Sequence, residues 1–157
     1  MLAQKIKVLI ADDHIIFRRG LKMLLASIDG VELIGEAENG LDLLAVAGRY
    51  TPDVFLIDIS MPVMDGVMAT KELCKRYPGA KVIALSVFGQ ETHIMEMLDA
   101  GAIGYLMKNA DKADIEQALV SVYNNRSYFC TESNKQVKDL IEKFQSGSKE
   151  HLVVFSE

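Results

Sequence analysis

Five polar residues follow short apolar segments of this chain, and their chemical types suit the handling of a phosphoryl group. The set comprises three carboxylates, a hydroxyl and an ammonium: Asp12, Asp13, Asp58, Ser86 and Lys108. Carboxylates gathered in one crevice repel one another, and a hard divalent cation such as Mg²⁺ neutralises them through oxygen ligands. Lysine supplies a positive charge for a phosphoryl oxygen, and the serine hydroxyl can donate to the same group. We therefore predict a cation-binding acidic pocket in which Asp58 is the nucleophile that accepts a phosphoryl group.

These residues can meet only if the segments before them form one parallel sheet. Apolar runs of strand length alternate with segments of helical period. The predicted strands cover residues 6–11, 31–37, 54–57, 81–85 and 103–107. The predicted helices cover residues 15–25, 40–49, 65–77, 90–100 and 111–123. Such alternation indicates an α/β fold with helices on both faces of a parallel sheet, and the carboxyl ends of its strands lie along one edge.

The composition limits the class of protein. Half of the residues are apolar and a quarter are charged, which is typical of a globular domain. We expect a cytoplasmic protein, because no apolar run approaches the roughly 18 residues of a membrane span and no signal peptide precedes the first strand. The net charge of −5 argues against direct nucleic-acid binding, which needs a basic surface. Cys74 and Cys130 have no metal-ligand spacing, so we interpret both as free thiols.

The composition becomes more polar near residue 128. Cap signals and apolar spacing predict a further helix over residues 135–144, followed by a linker over 145–150. The last residues, 152–157, are an apolar segment that ends in the start signal of a helix. We expect one domain over residues 1–128, and a linker helix with the start of a missing domain over residues 129–157.

Four motifs resemble the receiver domain of two-component response regulators, and the resemblance covers about residues 5–128. The motifs are Val8-Leu9-Ile10-Ala11-Asp12-Asp13-His14, Asp53-Val54-Phe55-Leu56-Ile57-Asp58-Ile59-Ser60-Met61-Pro62 with Asp65-Gly66, Ala84-Leu85-Ser86, and Ala100-Gly101-Ala102-Ile103-Gly104-Tyr105-Leu106-Met107-Lys108. The resemblance implies a flavodoxin-like, doubly wound sheet of five parallel strands in the order 2-1-3-4-5, with an extra C-terminal helix and linker. Two departures are Ser86, where threonine is commoner, and Asn109, where many receivers have a proline in a cis peptide after the lysine; the isomer here stays open.

The resemblance also implies roles for individual residues. A sensor histidine kinase would phosphorylate Asp58, and the chain would catalyse only its own phosphorylation and dephosphorylation. Asp13 and Asp58 would ligate Mg²⁺, with Asp12 acting largely through water and Ser60 through its backbone carbonyl.

A conformational switch is implied as well. Ser86 would move toward the phosphoryl group and Tyr105 would change rotamer behind it, so that phosphorylation shifts the population between two existing arrangements. The motif over residues 34–40 and the final Phe155-Ser156-Glu157 resemble the subfamily that carries a LuxR-type helix-turn-helix domain. The resemblance thus implies a transcriptional regulator that forms a homodimer on activation, contacts DNA only through the missing domain and does not bind membranes.

Two other classes and one residue stay open at this point. A phosphohydrolase of the haloacid dehalogenase type would also form an aspartyl phosphate, but it needs a carboxylate two residues after the nucleophile, where this chain has Ser60. A flavodoxin-like cofactor binder would need a phosphate-binding loop, and no glycine-rich turn follows the first strand. His14 is either a helix-start residue at the rim of the pocket or a ligand within it.

Overall fold

The computed structural model describes residues 4–87 and 93–129, together with the single positions 139 and 142. Within these ranges the strands are β1 (Ile6–Ala11), β2 (Val31–Ala37), β3 (Val54–Asp58), β4 (Val82–Ser86), β5 (Gly104–Met107) and β6 (Tyr128–Phe129). The helices are α1 (Ile15–Ala26), α2 (Gly40–Arg49), α3 (Gly66–Arg76), α4 (Ile94–Ala100) and α5 (Lys112–Tyr123). The predicted helix over residues 135–144 and the predicted linker after it lie outside the described ranges.

All six described strands are parallel and lie in one sheet in the order β2-β1-β3-β4-β5-β6. The first five confirm the predicted doubly wound sheet and its order 2-1-3-4-5. The sixth strand is an addition that the sequence did not predict, and it pairs with β5 through Tyr105 and Phe129. A strand of two residues is too short to produce the alternation of apolar and polar positions on which strand prediction depends.

Apolar layers cover both faces of the sheet, which explains why its central strands are nearly continuous apolar runs. One layer packs the sheet against α2, α3 and α4 through residues such as Leu43, Leu73 and Met97. The other packs it against α1 and α5 through residues such as Leu25 and Leu119. With both faces closed, the polar residues at the carboxyl ends of the strands gather along one edge of the sheet.

Side-chain caps define where three of the helices begin. Asn39, Asp65 and Asp111 precede α2, α3 and α5, and each accepts a hydrogen bond from the backbone amide three residues later. A cap of this kind contributes roughly 0.5–2 kcal/mol to the free energy of unfolding. The residue before α1 is His14, which makes no capping hydrogen bond with its side chain. None of the helices in the described residues is long and apolar enough to span a bilayer.

Candidate functional site

Asp12, Asp58 and Lys108 meet at the carboxyl edge of the sheet. Asp12 directly follows β1, Asp58 is the last residue of β3, and Lys108 directly follows β5. The Lys108 Nζ lies 2.7 Å from Asp12 Oδ2 and 3.2 Å from Asp58 Oδ2. Because β3 lies next to β1 and is separated from β5 only by β4, residues far apart in sequence form one ion-paired cluster.

The two buried carboxylates of this cluster influence one another. Asp12 is fully buried and Asp58 is 1% exposed. Burial, as the largest cause, and the nearby negative charge of Asp12 together raise the pKa of Asp58 to about 6, although the Lys108 ammonium opposes both effects. One ammonium therefore only partly compensates two carboxylates, and an additional cation would stabilise the cluster.

Asp13 and His14 complete the cluster on its solvent side. The Asp13 side chain is partly exposed, yet its Oδ1 atom is buried and has no hydrogen-bond partner within the described part of the chain. One potential ligand atom from each of Asp12, Asp13, His14 and Asp58 lies within 4.8 Å of the others. A donor set of three carboxylates fits Mg²⁺, which prefers oxygen ligands. The sequence left open whether His14 is a ligand in this set or a helix-start residue at the rim of the pocket.

Lys108 is held in place at its backbone and at its ammonium group. Its backbone amide donates to the Ser86 carbonyl over 2.8 Å, which extends the pairing of β4 with β5. Its Nζ lies 4.7 Å from the centre of the Phe17 ring, a favourable cation–π distance. The Lys108–Asn109 peptide is trans, like every other peptide bond in the described ranges. The ammonium therefore reaches the carboxylates without a proline after it.

The loop after β3 packs tightly against Asp58. The Ser60 backbone amide donates to Asp58 Oδ1 over 3.3 Å, and the Gly66 amide donates to the Ile59 carbonyl over 2.9 Å. A Cβ atom added at Gly66 would lie only 2.1 Å from the Asp58 carbonyl oxygen, so this approach requires glycine. The loop thereby fixes the backbone that carries both Asp58 and Ser60.

The Ser86 hydroxyl is paired with Tyr105 in this structure. This hydroxyl donates to the Tyr105 hydroxyl over 3.0 Å, and Tyr105 in turn donates to the Met107 sulfur over 2.7 Å. Ser86 and Tyr105 are both fully buried. The sequence indicated Ser86 and Tyr105 as a pair, but it gave no sign that the Met107 thioether accepts the hydrogen bond of Tyr105.

Arg18 is a residue near the site that sequence reasoning missed. Its guanidinium donates to the Asp12 backbone carbonyl, and its Nε donates to Glu36 Oε1 over 3.0 Å. Lys22 lies 2.8 Å from the other oxygen of Glu36, and this contact lowers the pKa of the Glu36 carboxyl most strongly. Arg18 and Lys22 are one helical turn apart on α1 and face the acidic Glu36 on β2, a signal that could have indicated this link.

A family model described as the response regulator receiver domain matches residues 8–120. The transcriptional regulatory protein DegU of Brevibacillus brevis is 39% identical over 124 residues, which are 79% of this chain and 52% of DegU. The response regulator GacA of Pseudomonas protegens is 35% identical over 152 residues, which are 97% of this chain and 70% of GacA.

Solved structures show the same similarity. The receiver domain of a response regulator, NarL, from Mycobacterium tuberculosis superposes with a TM-score of 0.74 at 29% identity, over 79% of this chain and 100% of that one. The isolated receiver domain of RcsB from Salmonella enterica, solved with the phosphomimetic BeF₃⁻, gives 0.74 at 25% identity, over 87% of this chain and 99% of that one. The chain spans only 52% of DegU and 62% of GacA from Pseudomonas syringae, so it corresponds to part of these relatives.

Proposed function

Because this chain belongs to the response regulator receiver domain family, we propose that it is a signalling switch that accepts a phosphoryl group on Asp58 from a sensor histidine kinase. The observation that carries the proposal is the buried Asp58 carboxylate, which contacts the Lys108 ammonium and shares one cluster with Asp12 and Asp13. A nucleophilic carboxylate, a neighbouring ammonium and oxygen ligands for a cation are what phosphoryl transfer needs.

The chemical step assigns one task to each residue. An Asp58 carboxylate oxygen attacks phosphorus, a new O–P bond forms, the P–N bond of the kinase phosphohistidine breaks, and its electron pair returns to the imidazole. Lys108 neutralises charge on the transferring oxygens from its position 3.2 Å from Asp58. Asp13 and Asp58, with Asp12 through water and Ser60 through its carbonyl, would hold Mg²⁺, which screens the repulsion between the incoming phosphate and the carboxylates.

The same residues give the switch a physical basis. A phosphoryl group on Asp58 adds negative charge and strong acceptor oxygens next to β4. The Ser86 hydroxyl can leave Tyr105 and donate to one of these oxygens instead, which changes the environment of the Tyr105 ring. The phosphorylated chain would then favour one of two existing arrangements of the face formed by α4, β5 and α5.

The whole protein is proposed to regulate transcription. Residues 1–128 would be the receiver domain, and residues 129–157 would be a linker helix and the start of a separate DNA-binding domain. The relatives DegU and GacA are named as regulators and are longer than this chain. We propose a cytoplasmic protein that forms a homodimer when phosphorylated and contacts DNA only through that further domain.

The phosphohydrolase alternative is not favoured. The family match is to signalling proteins, and the position that would hold the acid/base carboxylate of a haloacid dehalogenase is Ser60. We therefore propose that the chain catalyses only its own phosphorylation and dephosphorylation.

Incubation with Mg²⁺ and acetyl phosphate tests the proposal directly. Wild-type protein should gain one base-labile phosphoryl group by intact-protein mass spectrometry, and Asp58→Asn should gain none. Asp53→Asn is the matched control, since Asp53 lies at the opposite end of β3 and accepts a hydrogen bond from the Lys7 amide; it should label like the wild type. Failure of the wild type to label, or equal labelling of Asp58→Asn, would overturn the assignment.

A further inference from the structure

We propose that the His14 imidazole is a nitrogen ligand of the divalent cation at this site, and that it gives the site a preference for transition-metal ions over Mg²⁺. The inference rests on the proposed function, because it concerns the cation that the same carboxylates would hold. It goes further by assigning a ligand and a metal selectivity to a residue of this chain.

The position of the His14 ring satisfies the geometry of shared coordination. Its Nδ1 lies 3.3 Å from Asp12 Oδ1, 3.4 Å from Asp13 Oδ1 and 3.9 Å from Asp58 Oδ2. Two ligands at about 2.1 Å from one octahedral ion are about 3.0 Å apart when adjacent and about 4.2 Å apart when opposite. All three distances fall within this interval, so small side-chain rotations bring nitrogen and oxygen onto one ion.

The Nδ1 atom of His14 lies within the cluster. The Lys108 Nζ lies 3.1 Å from this nitrogen, closer than either carboxylate of the acidic pair. Imidazole coordinates a metal through a ring nitrogen that carries no proton, and Nδ1 is the ring nitrogen that lies next to Lys108 and the carboxylates. An entering ion would replace Lys108 at this nitrogen, and Lys108 would keep its contact with Asp58.

Neither helix capping nor burial of apolar area explains the orientation of the ring. His14 precedes α1, yet its side chain makes no capping hydrogen bond. Its backbone amide donates to Asp12 Oδ1 over 2.7 Å, which fixes the backbone without the imidazole. The side chain is 62% exposed, so burial of apolar area does not hold it over the acidic pair either. The contacts that orient it are those with the carboxylates and Lys108.

Ligand chemistry predicts which ions gain from this nitrogen. Mg²⁺ prefers oxygen and gains little from imidazole, whereas Co²⁺, Ni²⁺ and Zn²⁺ bind imidazole well. Removal of His14 should therefore lower the affinity for Co²⁺ about tenfold or more and change the affinity for Mg²⁺ less than about twofold. The ratio of the two dissociation constants is the quantity that the proposal predicts.

Isothermal titration calorimetry with Mg²⁺ and with Co²⁺ on the full 157-residue chain measures this ratio for the wild type and His14→Ala. His93→Ala and His151→Ala are the controls for the loss of a histidine elsewhere in the sequence; His93 is exposed and pairs with Glu96 at 2.7 Å. Pulsed EPR of bound Mn²⁺ adds a direct readout. Wild-type protein should show coupling to a coordinated ¹⁴N nucleus, and His14→Ala should lose it while both control variants keep it.

The outcomes separate this inference from the proposed function. Loss of the ¹⁴N coupling and of Co²⁺ preference in His14→Ala alone supports it. Mg²⁺ and Co²⁺ binding that is unchanged in His14→Ala, with no nitrogen coupling in the wild type, overturns it and leaves the phosphoacceptor assignment intact. If the wild type binds neither ion, or if Asp13→Asn and Asp58→Asn bind both as tightly as the wild type, the proposed metal site itself is wrong.

Discussion

Asp58 shows how one buried carboxylate can serve function at the expense of stability. An Asp carboxyl normally has a pKa near 3.8, and burial raises that of Asp58 to about 6. The folded protein therefore holds the proton more tightly than the unfolded chain, so the free energy of unfolding falls as the pH rises from about 4 to about 6. Above that range Asp58 is ionised, which suits a nucleophile, and the folded protein bears the full cost of its burial.

We predict that Asp58→Asn stabilises the metal-free protein at pH 7.5. A pKa moved from 3.8 to about 6 corresponds to about 3 kcal/mol. We expect a gain of about 1–3 kcal/mol, because Lys108 loses one of its two carboxylate partners in the variant. Urea unfolding in EDTA at pH 7.5 and at pH 4 measures it, and most of the gain should disappear at the lower pH, where Asp58 is protonated in the folded protein.

Two controls accompany the unfolding measurement on Asp58→Asn. Asp53→Asn removes a carboxylate beyond the other end of β3, where the Lys7 amide donates to it, and should not show the gain at pH 7.5. Addition of Mg²⁺ should stabilise the wild type more than Asp58→Asn, since the variant lacks one proposed ligand. Equal stability of wild type and Asp58→Asn at pH 7.5 in EDTA would contradict a raised pKa.

Residue types predicted much of the candidate site, but the side-chain contacts around it could be seen only in the structure. Asp12, Asp58 and Lys108 could be placed from their positions directly at or after strands. The link from Arg18 to the Asp12 carbonyl depends on how α1 lies against β2, which periodicity does not specify. The Tyr105–Met107 hydrogen bond depends on rotamers, and methionine gives no pattern that indicates an acceptor.

At the scale of secondary structure, the sequence predicted the ends of helices best where the residue at the end favours that position for a physical reason. The predicted starts at residues 40, 65 and 111 agree with α2, α3 and α5 to within one residue, and the structure shows that Asn39, Asp65 and Asp111 cap these helices. The turn at Gly101, with a φ of 126°, ends α4 as predicted. β6 was missed because its two residues form a strand only by pairing with β5, which is a tertiary effect.

The loop between β3 and α3 provides a prediction at this scale. Gly66→Ala should destabilise the protein by about 2–4 kcal/mol, because the new methyl group would lie 2.1 Å from the Asp58 carbonyl oxygen and the backbone must move. It should also slow labelling by acetyl phosphate, since that backbone carries Asp58. Chemical unfolding and labelling rates measure both effects.

Gly79→Ala is the matched control for this loop variant. A Cβ atom at Gly79 meets nothing within 4 Å, so the stability change should stay within about 0.5 kcal/mol and labelling should match the wild type. A Gly66→Ala protein with wild-type stability would show that the loop does not constrain Asp58 as the structure indicates.

At the scale of the whole molecule, the sheet order turns a linear sequence into one site. The four strands β1, β3, β4 and β5 are neighbours, although α-helices separate them along the chain. Alternation of strands and helices was enough to predict a parallel sheet, and the order 2-1-3-4-5 followed from the resemblance to receivers rather than from periodicity. Physical reasoning on a single sequence cannot supply that order alone, because many strand orders satisfy the same pattern.

Tyr105 connects this edge of the sheet to the rest of the molecule. Its hydroxyl lies between Ser86 and Met107, and its ring belongs to the apolar layer that contains Ile94 and Met97 of α4. We propose that a change at Ser86 reaches α4 through this fully buried side chain. Coupling between a phosphorylation site and a distant face needs such a two-position element.

We predict that Tyr105→Phe separates phosphorylation from dimerisation. The variant keeps the ring in the core and loses the hydroxyl that accepts the hydrogen bond of Ser86. Because Asp58 and Lys108 are unchanged, its labelling rate should stay within about twofold of the wild type. Its dimerisation in Mg²⁺ and BeF₃⁻ should weaken about tenfold, a typical coupling free energy between two sites. Sedimentation velocity measures the dimer, with Tyr50→Phe as the control because Tyr50 is exposed after α2 and should dimerise like the wild type. A wild type that stays monomeric in BeF₃⁻ contradicts dimerisation on activation, whereas a Tyr105→Phe protein that dimerises normally shows that the signal bypasses the tyrosine hydroxyl.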